Sequence, residues 1–307
     1  LAILSGAAFG DNLSPIADTT IVSAYTQGAT MKEVVRSRFP LSMSAAVMAM
    51  VIFLIFGNAD QAAALPDIQK DFDPAGVLML IALVVVVGSA MMGRHIIESL
   101  VYGNVCAAVI AILTGHIKPT EIFGIPAQAG QSTGYIENGI LSVVGPIIFA
   151  ILILAVTQIM VECGIMKRIL DFAHKSLVST VRQAELFIVG VTVLASIPIS
   201  ANAPAELLVG PSIVRPMGER FNLSAARRAN LMDCAVSTVF YILPWHIAVA
   251  TWYGALYSAA QSYNIPAPAL STALYNPYSW TLLVVLLFSA ITGWNRKLDI
   301  PAATNNA

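Results

Sequence analysis

Apolar side chains run almost without interruption near 39–57, 76–93, 97–115, 138–162 and 279–294. Each run is close to the roughly 20 residues that a helix needs to cross about 30 Å of hydrocarbon. Each therefore predicts a membrane-spanning helix. Two further stretches, 184–214 and 233–262, are apolar but broken by Pro, Asn and charged residues, and the opening stretch 1–29 has the same character. A break of this kind is tolerated at membrane depth only where the chain packs on protein or lines a cavity. The polar residues in these three stretches are thus the informative ones.

Composition agrees with the pattern. Of 307 residues, 57% are hydrophobic and 11% are Asp, Glu, Lys or Arg, with a mean hydropathy of +0.78. Soluble domains carry about 25% charge. An all-α polytopic membrane protein follows, and soluble enzymes, coiled coils and disordered tails are excluded. A net charge of −1 offers no basic surplus for nucleic acid. Cys106, Cys163 and Cys234 form neither a CxxC pair nor a metal spacing and read as small apolar fillers. The first charge, Asp11, comes too early for a span or a signal peptide to precede it. The expectation is a fragment that begins inside a helix of a longer protein.

Positive charges orient the chain, because cytoplasmic loops are enriched in Lys and Arg. Segment 30–38 holds Lys32, Arg36 and Arg38, whereas 58–75 holds Asp60, Asp67, Asp71 and Asp73 against Lys70 alone. With 30–38 inside, strict alternation leaves only Lys70 and Lys118 of the 16 basic residues outside. Stretch 184–214 must then enter and leave on one side. A re-entrant hairpin does this, with its tip at Pro198, Ser200, Asn202 and Pro204; two short full spans would satisfy the charges equally. The first broken helix would run inward and the second outward, as in an inverted repeat. Residues 1–57 are then the end of a first repeat, a broken helix and the span after it. An extracytoplasmic loop fills 58–75. A second repeat covers 76–295, with hairpin 184–214 and broken helix 233–262, and 296–307 is a cytoplasmic tail.

Candidate chemistry sits in the breaks. Residues 10–20 read GDNLSPIADTT inside an apolar frame. A carboxylate at this depth costs at least about 2.5 kcal/mol on insertion scales and calls for a purpose. Pro15 removes a backbone donor and should free carbonyls beside Asp11, Asn12, Ser14, Asp18, Thr19 and Thr20. Such an all-oxygen set suits Na⁺, centred on Asp11 and Asp18. An ordinary extramembrane turn would use the same residue types. The second break carries Asp233, Ser237, Thr238, Pro244 and His246. Asp233 has a competing reading as a surface carboxylate beside Arg227 and Arg228. Glu206 in the hairpin is a further candidate in a dry setting.

GDNLSPIADTT resembles the signature of the NhaC-type Na⁺/H⁺ antiporters, GDxxSPxSDTT. Leu243-Pro244-Trp245-His246, Tyr253-Gly254 and Tyr275-Asn276-Pro277-Tyr278 are similar to that family's second-repeat region and aromatic tail. The resemblance covers essentially the whole chain. It implies two inverted repeats, each with a re-entrant hairpin and a broken helix, and a transporter rather than an enzyme. Na⁺ would exchange for H⁺ by alternating access, with Na⁺ and H⁺ as cargo, no cofactor and the lipid bilayer as partner. The setting would be a bacterial cytoplasmic membrane, crossed many times, and a homo-oligomer is compatible with it. Ala17 and His246 depart from the family's Ser and Asn, which bears on ion selectivity. The alternative on the same fold is a Na⁺- or H⁺-coupled carrier of a small organic acid, although neither broken helix supplies an arginine to clamp one. An intramembrane aspartyl protease would need Gly-x-Gly-Asp, and Ala8-Phe9-Gly10-Asp11 lacks the first glycine.

Overall fold

A computed structural model describes residues 1–57, 74–124, 134–165, 168, 171–172, 178–262 and 265–299. Contacts divide the chain into two compact units, 1–64 with 154–307, and 65–153. Among the described residues every named element is helical, and the one strand-like pairing is an isolated bridge between Leu223 and Leu298.

The first unit opens on a broken helix, α1 (Ala2–Leu13) and α2 (Asp18–Gln27). A residue before proline is pushed out of the helical region. Ser14 obeys this with ψ 129°, and α1 stops there. Gly28, at φ 72°, closes α2 in the left-handed conformation. Thr30 and Glu33 then form a reciprocal capping box that starts α3 (Met31–Phe56). Thr30→Ala is expected to cost about 1 kcal/mol through the lost cap, read as a lower melting temperature in detergent; an unchanged value would show that packing alone fixes this end.

That cap places Lys32, Arg36 and Arg38, the basic residues of segment 30–38, inside α3. Val34, Arg38, Leu41, Ser42, Ala45 and Ala49 form a buried stripe at helical spacing, and Arg38 is 0% exposed.

The hairpin is a helix–turn–helix: α9 (Val181–Ser196), a turn at Ile197–Ala201, and α10 (Asn202–Val209). Asn202 and Pro204, expected in the tip, lie in the first turn of α10, where a missing proline N–H breaks no helical bond. A π-helical turn, Gly210–Val214, joins α10 to α11 (Arg215–Arg220). A Cβ on Gly210 would meet Thr26 Oγ1 at 2.9 Å, so glycine permits this close approach to α2.

Ser224 caps α12 (Ala225–Phe240), and the second break, Tyr241–His246, precedes α13 (Ile247–Ser262). After a 3₁₀ turn at Leu270–Tyr275 comes α14 (Pro277–Thr292). Helix α12 is central, packed by α2, α3, α9, α10 and α14, and every residue from Arg227 to Thr238 is buried. The 296–299 part of the expected tail is docked: Ser224 N donates to Lys297 O at 3.0 Å and Asp299 N to Asn222 O at 2.8 Å.

The second unit holds α4 (Pro74–Leu78), α5 (Leu80–Met91), α6 (Ile96–Leu113) and α7 (Pro119–Ile122), and α8 (Tyr135–Glu162) follows from it. These helices occupy the apolar runs 76–93, 97–115 and 138–162. Helices α5 and α6 pack closely enough that a Cβ on Gly103 would clash with the Val86 side chain. Two stretches, Met31–Phe56 and Leu270–Thr292, are long and apolar enough to cross a membrane. Of the expected loop 58–75 only residues 74 and 75 are described, and 300–307 of the tail also lie outside the described residues.

Candidate functional site

A buried polar network centres on Arg38. Its guanidinium is ion-paired with Asp233 and donates to Asn12 O and, at 3.0 Å, to Thr20 Oγ1. It thereby joins the end of α1, the start of α2 and the middle of α12. Both members of the ion pair are 0% exposed. Asp233 also accepts from Ser23 Oγ at 3.3 Å. The Asn12 side-chain oxygen accepts from Ser42 Oγ and, at 3.2 Å, from Tyr278 Oη, and Asn12 Nδ2 faces Cys234 Sγ at 3.9 Å. Two backbone carbonyls freed by the first break are thus already engaged: Asn12 O by Arg38, and Ser14 O by Thr20 Oγ1 at 2.8 Å.

The second break is held by its neighbours. Asn276 bridges it to α1, donating to Tyr241 O at 3.1 Å and accepting from Ser5 Oγ at 2.6 Å. Trp245 Nε1 donates to Ile197 O at 2.8 Å and Ile247 N to Ser200 O at 3.1 Å, so the hairpin turn is pinned against this break.

The residues singled out in the sequence divide into two groups. Asn12, Thr20 and Asp233 meet through Arg38, and Thr19 is buried at the same end of α2. Asp11 is half-buried beside the Tyr241 hydroxyl, with the charges of Asp233, Asp18 and Arg38 within reach. Ser237 is buried one turn beyond Asp233. Asp18 is exposed and accepts from the backbone N of Thr19 at 2.8 Å. Ser14 Oγ accepts from Ile16 N at 3.2 Å within the break, next to Pro15. Thr238 turns back onto Ala235 O at 2.7 Å. His246, just past Pro244, is buried against Phe240 and the backbone of Ser196 and Ile197. Pro198 and Ser200 lie in the hairpin turn.

Sequence reasoning missed Arg38, Ser23, Ser42 and Asn230 as members of this buried polar set. Asn230 Nδ2 donates to Ser37 O at 3.0 Å. The available signal was the Thr30–Glu33 capping box, which makes Arg38 helical and in phase with Val34 and Leu41. Among the described residues no three His, Cys, Asp or Glu are grouped to hold a metal ion. Any cation here must draw on neutral oxygens as well. A separate groove of about 580 Å³ is lined by Leu4, Phe240, Ile247 and Trp252 among others, and its apolar walls suit no bare ion.

The family model described as the Na⁺/H⁺ antiporter family matches residues 1–58. Over 96% of its length the chain is 24% identical to the malate-2H⁺/Na⁺-lactate antiporter of Bacillus subtilis, covering 64% of that protein. It is 24% identical over 98% of its length to the arginine/ornithine antiporter ArcD of Halobacterium salinarum, covering 63%. To the Na⁺/H⁺ antiporter NhaC of Bacillus subtilis it is 21% identical over 96% of its length, covering 66%. The chain thus spans less than two thirds of each of these curated relatives. No solved structure matches. Along nearly its whole length the chain is thus similar to proteins named as antiporters. The family it resembles is that of the NhaC-type Na⁺/H⁺ antiporters, the resemblance carried by GDNLSPIADTT.

Proposed function

We propose that this chain forms part of a secondary transporter that exchanges Na⁺ for H⁺ by alternating access. The observation that carries it is one buried polar network joining the first helix break to the α12 segment that leads into the second. Broken helices meeting near the middle of a bundle are the usual setting for coupled ions. Protons and Na⁺ compete for a carboxylate in a partly dry cavity, and binding either one lets the site change sides. Asp11 and Asp18 are the exchanging carboxylates in this reading, with Asn12, Thr19 and Thr20 as oxygen donors. The helix–turn–helix at 181–209 serves as a re-entrant hairpin of an inverted repeat. The protein sits in a bacterial cytoplasmic membrane as a multi-pass chain, alone or as a homo-oligomer, and needs no resident cofactor.

The test uses the full-length protein in liposomes, with a fluorescent reporter of ΔpH and Na⁺ added on one side. Asp11→Asn and Asp18→Asn are expected to abolish Na⁺-dependent proton movement, at matched protein amounts. Asparagine keeps the shape but cannot take up or release a proton near neutral pH. Near-normal exchange by both variants would sink the assignment.

A second reading has a specific observation behind it. Arg38, supplied by α3 rather than by a broken helix, brings a guanidinium to the first break, and an organic carboxylate would bind it by displacing Asp233. The malate/lactate relative carries such anions by its name. Lactate-dependent Na⁺ uptake in the same liposomes would favour this reading, and its failure would leave Na⁺/H⁺ exchange.

A further inference from the structure

One buried carboxylate has no part in the exchange just described. Glu206 on α10 is 0% exposed, and neither of its oxygens has a hydrogen-bond partner. Asn202 lies four residues earlier on the same helix and so shares its face. Asp233 and Ser237 have the same spacing on α12, and α10 packs against α12. All four side chains are buried. Five of their oxygens lack a partner: Asn202 Oδ1, both of Glu206, Asp233 Oδ1 and Ser237 Oγ. The other Asp233 oxygen is held by Arg38 and Ser23.

The charges facing Glu206 are Asp233 on α12, Arg38 on α3, Asp18 at the start of α2 and Asp11 on α1. Arg38 neutralises Asp233, which leaves Glu206 without a counter-charge. A buried carboxylate without a partner is costly. The cluster's own unpartnered donors, Asn202 Nδ2 and the Ser237 hydroxyl, are neutral, so hydrogen bonds within it leave the Glu206 charge unbalanced. Hard oxygens short of one positive charge match an alkali cation and repel an anion.

We propose that Glu206, Asn202, Asp233 and Ser237 form a site for one monovalent alkali cation, Na⁺ in the first instance, between the second hairpin arm and α12. The site deepens the transporter reading and rests on it; Asp11 and Asp18 face Glu206 but are not among its ligands. Its ligands come from the hairpin, so cation occupancy ties α10 to the ion-paired centre of the fold.

The test is Na⁺-dependent thermal stabilisation of the purified full-length protein at fixed pH, with choline chloride holding ionic strength constant. ΔpH exchange is measured in parallel. Na⁺ is expected to stabilise the wild type. Glu206→Gln is expected to raise the half-maximal Na⁺ concentration at least tenfold, with its melting temperature in choline retained. Asn202→Ala, which removes one neutral ligand, is expected to raise it about fivefold, and it decides the matter should Glu206→Gln fail to fold. Wild-type Na⁺ dependence in the folded variants, or no Na⁺ stabilisation of the wild type, overturns the site. Stabilisation lost in Glu206→Gln while the wild type shows no Na⁺-dependent ΔpH would uphold the site and sink the exchange reading instead.

Discussion

Arg38→Gln is expected to destabilise the protein by about 3–5 kcal/mol, the range for removing one partner of a buried ion pair. The guanidinium is wholly buried, and its loss strands Asp233 in the same dry setting. Asn12 O and Thr20 Oγ1 lose their shared donor as well. The double variant Arg38→Gln/Asp233→Asn should recover most of the loss, because two neutral amides replace an unpaired charge. Melting temperatures of the wild type, both single variants and the double variant in one detergent give the coupling directly. A single Arg38→Gln variant as stable as the double would mean that the ion pair does not hold the breaks together.

The second large effect belongs to a separate cluster at the far end of α12. Glu185 accepts from Arg227 Nε and from Arg296 Nη2, each at 2.7 Å, and Arg227 also donates to Ser289 Oγ at 2.9 Å. Glu185 and Arg227 are fully buried, whereas the Arg296 side chain is 20% exposed. Glu185→Gln leaves two cations facing a neutral amide and should again cost about 3–5 kcal/mol. Arg296→Gln should cost less, because Arg227 still neutralises Glu185. Chemical denaturation of the two variants side by side tests the ranking. Equal losses would show that the pair behaves as a surface bridge.

Both clusters explain how far the sequence could be read. The breaks were legible because their causes are local: Pro15 forces Ser14 into an extended conformation, and Pro244 falls within the interruption between Phe240 and Ile247. The apolar runs located the helices to within several residues for the same reason. Caps moved the boundaries. Thr30 starts α3 well before its apolar run, and Pro204 fits inside α10 rather than in the turn. Charge counting used Arg38, Arg227 and Arg228 only as markers of one membrane side. The fold buries all three, each against groups distant in sequence: Arg38 against Asp233, Arg227 against Glu185, and Arg228 against Gln27, whose backbone O accepts at 3.0 Å. No local pattern announces a partner far away in the chain. Glu206 stood out in the sequence as a carboxylate in a dry stretch, but its facing residues on α12 emerge only from helix packing.

The π turn at Gly210–Val214 adds a constraint of chain length. It holds one residue more than an α-helical turn closed by the usual hydrogen bond. An α-helix rotates about 100° per residue. Excising one residue here would therefore regularise the backbone and at the same time re-phase everything beyond it. With α11 fixed, Asn202 and Glu206 would swing away from α12; with α10 fixed, Arg215 and Glu219 would leave their present faces. Elsewhere in the hairpin a substitution changes what a face carries. At this turn the number of residues decides which face is presented, so a homologue shorter by one residue here would aim its second hairpin arm at a different neighbour.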